Sequence, residues 1–388
     1  MPNMLVIYEQ ESVSQKLLCV FLSRYCDETG YSISIKRSRH ISVKDIESAD
    51  LLVTIRSMAP LETRIVKTAK KANIPCICYW DDDLTQDTDS LFVPTLRRKA
   101  MIEELKHADA ILTSNGYLSN KLASYGNNPI EIMIDTVIDE TDLRDKEASN
   151  KQVKIVYAAG PSHSKDFNIE METAFALLQE ELPGQFSLAF VGVKPELHSN
   201  YSFPVEYIPG MSLDDYRKHM ISENYDIGLA PIPHSEFSKS KYYNKYIEYT
   251  LVNVVGIYSC FPPYTLIIKD GVNGYLSEES TESWYNALYK AITDNRLRND
   301  CLNNAKQMLI DEFSFDAVSS KFSEGIKSIQ KEKKKKKINA FPLWLSKLSY
   351  PIFKYIYLPV TYISNEGLKG TIKRINNYSN SIKLLKGE

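Results

Sequence analysis

The sequence lacks several patterns that mark common enzyme classes. It contains no Gly-x-Ser-x-Gly run, so a serine hydrolase with a nucleophile elbow is not supported. The first predicted strand, residues 4–8, leads into Glu9-Gln10-Glu11-Ser12 and not into Gly-x-Gly-x-x-Gly, which argues against a dinucleotide-dependent dehydrogenase. No stretch reaches the roughly 18 apolar residues that span a bilayer. The opening Met-Pro-Asn-Met lacks a charged segment and a long apolar run, so we expect no signal peptide.

Cysteine is also scarce, with 6 residues in 388. Most of them lie inside apolar strand or helix patterns, which is typical of buried, reduced thiols in a cytosolic protein. Cys76 and Cys78 alternate on one predicted strand and have no matching pair elsewhere in the sequence. We therefore expect neither a disulfide framework nor a zinc site.

Charge is nearly balanced overall but is unevenly spread. Residues 331–388 hold 13 Lys and Arg against 3 Asp and Glu, a net charge of +10, whereas residues 1–330 hold 34 against 46, a net charge of −12. Such asymmetry predicts an anionic partner for the C-terminal extension, either a nucleic acid or a membrane surface. The remainder is long enough for two globular domains.

Short apolar runs alternate with helical patterns, which predicts two Rossmann-like α/β domains with parallel sheets. Residues 1–138 form the first domain, with strands at 4–8, 31–36, 50–55, 74–79, 109–113 and 129–134. A charged segment, 139–151, predicts a linker. Residues 152–330 form the second domain, with strands at 153–159, 186–191, 205–208, 225–230 and 254–258. We expect the domains to face each other across a cleft and the helix at 315–330 to pack back on the first.

The extension at 331–388 is basic and aromatic. Residues 331–337 include six lysines, and residues 341–363 mix aliphatic and aromatic side chains with Lys347 and Lys354. Lysines suit anionic headgroups and aromatic rings suit the acyl boundary, so we predict peripheral attachment to the inner face of the cell membrane. A solvated, disordered tail and contact with nucleic acid are the alternatives; we expect no nucleic-acid partner.

Residues 237–277 are the most informative stretch. Lys239, Lys241 and Lys245 lead into a short predicted helix that carries Glu248, and an apolar strand follows. Lysines and the N–H groups at the start of a helix favour a diphosphate, and a carboxylate further along can accept hydrogen bonds from ribose hydroxyls. This order predicts a site for a nucleoside diphosphate.

The same stretch resembles the donor-binding segment of GT-B glycosyltransferases, especially the large retaining group called family 4. The residues that carry the resemblance are Asn244, Lys245, Tyr246, Glu248, Tyr249, Ser259, Tyr264, Asp270, Gly271, Asn273, Gly274 and Leu276. Two positions depart from the family pattern. The family's first Glu falls on Ser240, and its Gly-x-Pro after the helix is Asn253-Val254-Val255.

The resemblance implies a set of donor-binding residues in the second domain. They are Gly160, Lys165, Lys239, Lys241, Asn244, Lys245, Glu248, Ser259 and Tyr264. Gly160 and Lys165 follow strand 153–159, where backbone can approach a phosphate and a lysine can grip it. His163, in the same loop, is a candidate to hydrogen-bond the donor. His163 and Lys241 are the catalytic candidates on this side.

Polar residues also follow strands of the first domain, at the edge where parallel sheets bind ligands. Arg56 follows strand 50–55, and Trp80-Asp81-Asp82-Asp83 follows strand 74–79. In GT-A glycosyltransferases an Asp-x-Asp would hold a metal, but the diphosphate-like site lies in the other domain. We therefore assign Asp81, Asp82 and Asp83 to catalysis on the acceptor side, as groups that orient hydroxyls or act as base. Arg56, Trp80 and Asp83 are the acceptor-binding candidates; a solvated loop in which an aspartate caps the next helix is the alternative.

Together the pattern and the resemblance predict a hexosyltransferase-type enzyme of bacterial surface polysaccharide synthesis, for lipopolysaccharide or capsule. The donor would be a nucleotide-diphosphate sugar, the acceptor a lipid-linked glycan, and the enzyme would need no metal or other cofactor. Retention of anomeric configuration is what the resemblance implies. Two alternatives stay open: a non-catalytic GT-B scaffold or partner protein, suggested by Ser240 and by the lack of an Arg beside Gly160, and a sugar-nucleotide epimerase of the same fold.

Overall fold

The computed structural model describes residues 1–85, 92–127, 129–134, 136–138, 143, 152–330 and 335–386. It divides into two compact units. The first unit comprises Met1–Val137 and Phe315–Glu388, and the second comprises Ile138–Ser314. Apart from Leu143, the predicted linker at 139–151 lies outside the described residues, as do residues 331–334 of the basic run.

The first unit is built on a six-stranded parallel sheet. Its strands are β1 (Asn3–Tyr8), β2 (Ser32–Arg37), β3 (Leu51–Ile55), β4 (Cys76–Tyr79), β5 (Ala110–Thr113) and β6 (Ile130–Met133), in the spatial order β2-β1-β3-β4-β5-β6. The helices between them are α1 (Val13–Thr29), α2 (Val43–Ser48), α3 (Pro60–Lys71), α4 (Thr95–Leu105) and α5 (Gly116–Ala123). Strand β3 is buried along its whole length, as expected for a strand with helices on both faces of its sheet.

Polar side chains fix where several of these helices begin. Ser12 caps α1 by accepting a hydrogen bond from the Gln15 N–H at 3.1 Å. Asn115 accepts the N–H groups of Tyr117 and Leu118 at the start of α5. Such caps satisfy N–H groups that have no partner inside the helix. Each therefore holds the loop that precedes its helix, and these loops follow the carboxyl ends of the strands.

The second unit has a six-stranded parallel sheet of its own. Its strands are β7 (Val153–Ala158), β8 (Phe186–Val191), β9 (Val205–Ile208), β10 (Ile227–Ala230), β11 (Val255–Ser259) and β12 (Tyr275–Ser277), in the spatial order β12-β11-β10-β7-β8-β9. The helices are α6 (Ile169–Glu181), α7 (Leu213–Glu223), α8 (Glu236–Lys239), α9 (Asn244–Leu251), α10 (Thr281–Thr293) and α11 (Asn295–Phe313).

Strand β12 is the one strand here that the sequence did not predict, because it is only three residues long and follows a glycine turn. Gly271 and Gly274 in that turn have φ values of 69° and 158°, which residues with a Cβ rarely adopt. The Asn273 side chain accepts from the Lys269 N–H at 2.8 Å and donates to Ile267 and Tyr246. The turn precedes β12, so it lies at the amino edge of the sheet and has a structural role.

The chain then returns to the first unit with α12 (Phe315–Ile329), whose apolar face packs against the sheet and α1. The Phe322 ring meets the rings of Tyr25 and Phe21 edge to face, with centroids 4.9 and 5.5 Å apart. The Arg24 guanidinium lies 3.9 Å above the Phe315 ring. The core of the first unit is therefore completed by residues nearly 300 positions away in sequence.

The C-terminal extension is helical. It contains α13 (Phe341–Ile352), a π-helical turn (Phe353–Tyr357) and α14 (Leu358–Lys386), which is broken at Gly367 by φ 70° and ψ 171°. Leu343, Tyr350 and Phe353 share one apolar core with residues of α3. Within the part of the chain that the structure describes, no helix combines the length and the hydropathy that crossing a bilayer requires.

Two carboxyl groups are fully buried between the first sheet and its helices. Glu104 accepts hydrogen bonds from the Thr54 hydroxyl and, at 3.2 Å, from the Cys78 thiol. Burial, opposed by these hydrogen bonds, raises the pKa of Glu104 to about 7. Burial and the nearby carboxyls of Glu9 and Glu104 raise the pKa of Glu62 well above its ordinary value. Both side chains therefore favour the protonated form in the folded protein.

We expect Glu104→Gln to remove a pH-dependent loss of stability. Below pH about 4.5 the carboxyl is protonated in both the folded and unfolded chain, so it costs nothing. Between pH about 4.5 and 7 only the folded chain keeps the proton, so the free energy of unfolding falls as pH rises. At about 1.4 kcal/mol per pKa unit, the variant should gain on the order of 2 to 3 kcal/mol over wild type between pH 5 and 8 in urea titrations.

Glu103→Gln is the matched control on the same helix. The Glu103 carboxylate pairs with Lys67 at 2.6 Å. This ion pair lowers the pKa of Glu103, and burial opposes it by less. Glu103 is therefore ionised in the folded and the unfolded chain throughout this range. Its difference from wild type should not change between pH 5 and 8. A Glu104→Gln difference that is equally flat would contradict the assignment of a buried, protonated Glu104.

Candidate functional site

Three loops of the second unit lie side by side at the carboxyl edge of its sheet. They follow β7, β10 and β11, and β10 pairs with both of the other two strands. The donor-binding candidates predicted from the sequence lie in these loops, in the segment that contains α8 and α9, or, for Ser259, at the last residue of β11. Parallel pairing therefore brings together residues from 160 to 264.

Lys245, Glu248 and Tyr216 form a compact polar cluster at this edge. The Lys245 ammonium lies 2.6 Å from Glu248 Oε2 and donates to the Tyr216 hydroxyl at 3.3 Å. The Tyr216 hydroxyl donates in turn to Glu248 Oε2 at 3.4 Å. The same ammonium lies over the rings of Tyr216 and Tyr249, 5.1 and 5.7 Å from their centroids. The cluster, named here the donor cluster, fixes the position of both charges.

Electrostatics keep both charges of the donor cluster in place. Burial lowers the pKa of Lys245, but Glu248, together with Tyr249 and Tyr264, raises it, and the net shift is upward. Burial and the same carboxylate raise the pKa of Tyr216 well above its ordinary value. Glu248 Oε1 accepts no hydrogen bond from any described residue, and 37% of its side chain is exposed. This oxygen is free to accept hydrogen bonds from a ligand.

Two further lysines precede Lys245 in sequence, at the end of α8 and just after it. Lys239 pairs with Glu236 at 2.5 Å, and the Lys241 ammonium lies 5.5 Å from the centroid of the Phe237 ring. Ser240 lies between these two lysines in sequence, and its side chain is buried. The resembled family has its first glutamate at this position. This edge therefore carries several cations near a single helix start.

The loop after β7 contributes an oriented histidine. His163 Nδ1 lies 2.7 Å from the Asp166 carboxylate, and the Tyr157 hydroxyl donates to the His163 carbonyl at 2.8 Å. Lys165 is exposed and has no partner among the residues described here. Gly160 has an ordinary φ of −74° and open space where a Cβ would lie. Its backbone is thus accessible, but nothing in its conformation requires glycine.

The remaining donor candidates differ in exposure. The Ser259 hydroxyl is buried and accepts from the Ile232 N–H at 3.0 Å, which ties the loop after β10 to the end of β11. The Tyr264 ring is buried and packs 4.7 Å from the Tyr258 ring. Asn244 is exposed at the start of α9. Ser259 and Tyr264 support the loops, whereas Asn244 can meet a ligand.

Arg56, Asp81 and Asp82 form a charge cluster at the carboxyl edge of the first sheet. Arg56 Nε lies 3.1 Å from an Asp81 oxygen, and its terminal nitrogen lies 2.8 Å from an Asp82 oxygen. Burial lowers the pKa of Arg56, but Asp81, Asp82 and Tyr79 together raise it, and the net shift is upward. Arg56 has a φ of 47°, a left-handed conformation that is uncommon outside glycine. These three residues are named here the acceptor-side cluster.

Trp80 and Asp83, also predicted as site residues, are fully buried. Trp80 lies in an apolar core with Met58, Cys78 and Met101. The Asp83 carboxylate pairs with Lys121 and accepts from the N–H and hydroxyl of Thr85. The structure thus assigns both residues supporting contacts, and leaves Asp81 and Asp82 nearer the surface.

Three residues with functional potential were not among the sequence candidates. Tyr216 lies on α7 and reaches the donor cluster only through the tertiary fold. Asp166 is three residues after His163, a spacing that offered a signal. Glu9 follows β1 directly and pairs with Arg97 at 3.1 Å, and this position at the end of a strand was a usable signal as well.

The two aspartates of the acceptor-side cluster face the Arg56 guanidinium. Among the residues that the structure describes, no three His, Cys, Asp or Glu side chains are grouped so that they could hold a metal ion. The carboxylates of Asp81 and Asp82 are thus placed to compensate a partly buried cation.

Substitution of Asp83 should reveal its structural role. Removing one member of a buried ion pair leaves the other uncompensated, and because Lys121 is partly exposed we expect Asp83→Ala to cost about 2 to 3 kcal/mol of unfolding free energy. Asp82→Ala is the control: its carboxylate is half-exposed and Arg56 keeps Asp81, so the cost should stay below about 1 kcal/mol. Equal losses in urea denaturation would contradict this division.

Comparisons with known proteins identify the fold. No protein-family model and no curated protein matches the sequence. A glycosyltransferase from Rickettsia africae has a TM-score of 0.61 and 14% identity over 86% of this chain and 99% of that chain. Sucrose-phosphate synthase from Thermosynechococcus elongatus has a TM-score of 0.61 and 10% identity over 85% and 99%. HepE from Anabaena, in complex with UDP-glucose, has a TM-score of 0.57 and 13% identity over 84% and 100%. The predicted fold class is confirmed: the chain has the two-domain GT-B fold, with a helical C-terminal extension.

Proposed function

We propose that this chain is a glycosyltransferase that uses a UDP-sugar as donor. The observation that carries the proposal is the donor cluster, in which Lys245 and Tyr216 hold Glu248 so that Glu248 Oε1 stays open. It lies at the carboxyl edge of a parallel sheet, where open α/β sheets bind their ligands. Among proteins of the same fold, HepE from Anabaena binds UDP and UDP-glucose. That example supports uridine as the nucleoside.

Each part of the edge then has a task in binding the donor. Glu248 Oε1 accepts hydrogen bonds from the ribose hydroxyls. The diphosphate is met by the exposed Lys165 and by Lys239 and Lys241, whose ammonium groups can leave their present partners for a more highly charged anion. Lys245 keeps its charge because Glu248 compensates it, so it adds a fixed positive field beside the phosphates.

Catalysis on this scheme is electrostatic. As the glycosidic bond breaks, negative charge grows on the departing diphosphate and positive charge on the sugar ring. Cations that are already in place stabilise that charge more in the transition state than in the bound donor, which lowers the barrier. His163, whose Nδ1 faces the Asp166 carboxylate, presents Nε2 to the donor: this nitrogen accepts from a sugar hydroxyl when the ring is neutral and donates to a phosphate oxygen when the ring is protonated. We include retention of anomeric configuration in the proposal, since a departing phosphate can itself take the proton of the acceptor.

For the acceptor we propose a hydroxyl of a lipid-linked glycan, as in bacterial surface polysaccharide synthesis. The residues assigned to it are those of the acceptor-side cluster, Arg56, Asp81 and Asp82. Arg56 has five N–H donors, and the two aspartates offer acceptors, so the cluster suits several hydroxyls of a sugar. Trp80 and Asp83 act through the fold by holding this loop.

Glu248→Ala should weaken UDP binding about ten- to a hundredfold, because it removes the carboxylate that accepts the ribose hydroxyls. Isothermal titration calorimetry with UDP measures this directly. Glu180→Ala removes an exposed carboxylate near the end of α6, away from the donor cluster, and should bind UDP as wild type does. Equal UDP affinity in wild type and Glu248→Ala would show that the nucleotide does not bind at the donor cluster.

Thermal shift with UDP, GDP, TDP and ADP, with and without magnesium, tests the function itself. We expect UDP to raise the melting temperature and magnesium to change the rise little, since lysines and not a metal meet the diphosphate. A rise with none of the four would favour a non-catalytic scaffold. Conversion of free UDP-glucose to another UDP-sugar without an acceptor would favour an epimerase.

A further inference from the structure

The C-terminal extension presents two unlike faces. Its inner face is buried against α3 through Leu343, Tyr350 and Phe353. Its outer face carries large apolar side chains: of the 27 that are exposed among the described residues, 11 lie within residues 341–372. Single exposed apolar residues are ordinary, but a continuous group of this kind marks a contact surface.

The nine of these residues that precede the break at Gly367 form one stripe along the helix. Spacings of three and four place them on a single face, and six of them are Trp344, Leu345, Leu348, Ile352, Tyr355 and Ile356. The helical run from residue 341 to the break at Gly367 is about 40 Å long at 1.5 Å per residue. A flat partner can meet such a stripe along its whole length.

Charge around the stripe is almost entirely positive. Lys336 and Lys337 precede the stripe and Lys369 follows it, and all three are exposed. The half-exposed Lys354 lies over the ring of Tyr350, toward the inner face. The one acidic residue between 335 and 376 is Glu366, which pairs with Arg374. A second copy of this face would bring lysines against lysines, whereas an anionic bilayer attracts each of them. An apolar stripe rimmed by cations is the pattern of a helix that lies in a membrane interface.

The extension also touches the edge of the first sheet that carries the acceptor-side cluster. The Tyr350 hydroxyl lies 3.5 Å from the Glu9 carboxylate, directly after β1. The Tyr357 hydroxyl accepts from the Leu96 N–H at 3.1 Å, and the Tyr362 ring meets the Phe92 ring. Residues 92–96 lead into α4, after the loop that begins with Asp81 and Asp82.

We infer that the outer face of residues 341–372 docks on the surface of an anionic bilayer, and that docking brings the acceptor-side cluster to the headgroup level. The docking surface stands on its own observations, while its role in presenting a lipid-linked acceptor rests on the proposed function. Apolar side chains of the stripe enter the acyl boundary, and lysines at its rim contact lipid phosphates and carboxylates. The fold makes this attachment part of the first unit.

Tryptophan fluorescence of the full chain reports this docking. The chain has 3 tryptophans; Trp80 and Trp284 are buried, and Trp344 is 55% exposed. Vesicles with 70% phosphatidylcholine and 30% phosphatidylglycerol should shift the emission to shorter wavelength, and Trp344→Phe should abolish the shift. Pure phosphatidylcholine should give a much smaller shift, and 1 M NaCl should weaken binding because it shortens the screening length to about 3 Å.

Two sets of variants separate the apolar and ionic contributions in vesicle flotation. Leu348→Ser/Ile352→Ser/Ile356→Ser should lower partitioning at least tenfold, and its control, Val20→Ser/Leu177→Ser/Val272→Ser, replaces exposed apolar residues elsewhere and should not. Lys336→Glu/Lys337→Glu/Lys369→Glu should also lower it at least tenfold, and Lys44→Glu/Lys194→Glu/Lys218→Glu should lower it far less. UDP affinity, measured on the two variants of the extension, should stay at the wild-type value, since their substituted residues belong to the first unit and the donor cluster belongs to the second.

Several results would overturn the inference. One is the absence of binding to either vesicle; another is binding that the stripe variant leaves unchanged. A concentration-dependent dimer that the stripe variant dissolves would assign the face to a second copy, and salt-sensitive binding to single-stranded RNA without vesicle binding would assign it to nucleic acid. Vesicle binding in a protein that binds no nucleotide would leave the docking surface standing and remove the glycosyltransferase proposal instead.

Discussion

Every strand in the described parts of the chain pairs in parallel with its neighbours, and this constraint decides where the functional side chains can lie. Parallel strands need helical crossovers, which cover both faces of a sheet and leave its carboxyl edge for polar loops. Arg56 and Asp81 are 25 positions apart in sequence but are in contact, because β3 and β4 are neighbours and both strands end at the same edge of the sheet. The donor cluster forms in the same way beside β10 and β11. Both candidate sites are thus consequences of strand order.

At both edges the charges are compensated before any ligand is present. Arg56 pairs with two aspartates and Lys245 pairs with one glutamate, so each partly buried cation keeps its charge at modest cost. The left-handed backbone conformation of Arg56 costs about 1 kcal/mol, and the two ion pairs of its side chain help to offset this cost. Compensation of this kind prepares a site whose groups move little when substrate arrives, which is what preorganised electrostatic catalysis needs.

The strands, the two α/β domains and the position of the donor loops follow from short-range patterns that a sequence displays directly. Apolar runs predicted eleven strands, and β12 escaped because three residues after a glycine turn carry no periodicity. The burial of Trp80 and Asp83 could not be predicted, since it depends on Lys121 and on a core contributed by other helices. Tyr216 was beyond reach for the same reason: its contact with Lys245 spans 29 positions and is set by packing alone. The amphipathic character of residues 341–363 was visible, but which face packs on α3 was not.

The first unit is assembled from two separate stretches of chain, and this has a consequence for biosynthesis. Residues 138–314 are contiguous, so the second unit can close its core as soon as residue 314 has left the ribosome. The first sheet is synthesised earlier but lacks Phe315, Phe322 and the rest of α12 until residue 329 has left the ribosome. Of the two units, the one whose synthesis begins earlier must therefore finish folding later, with part of its apolar surface uncovered meanwhile, and chaperones can act on that surface for this time.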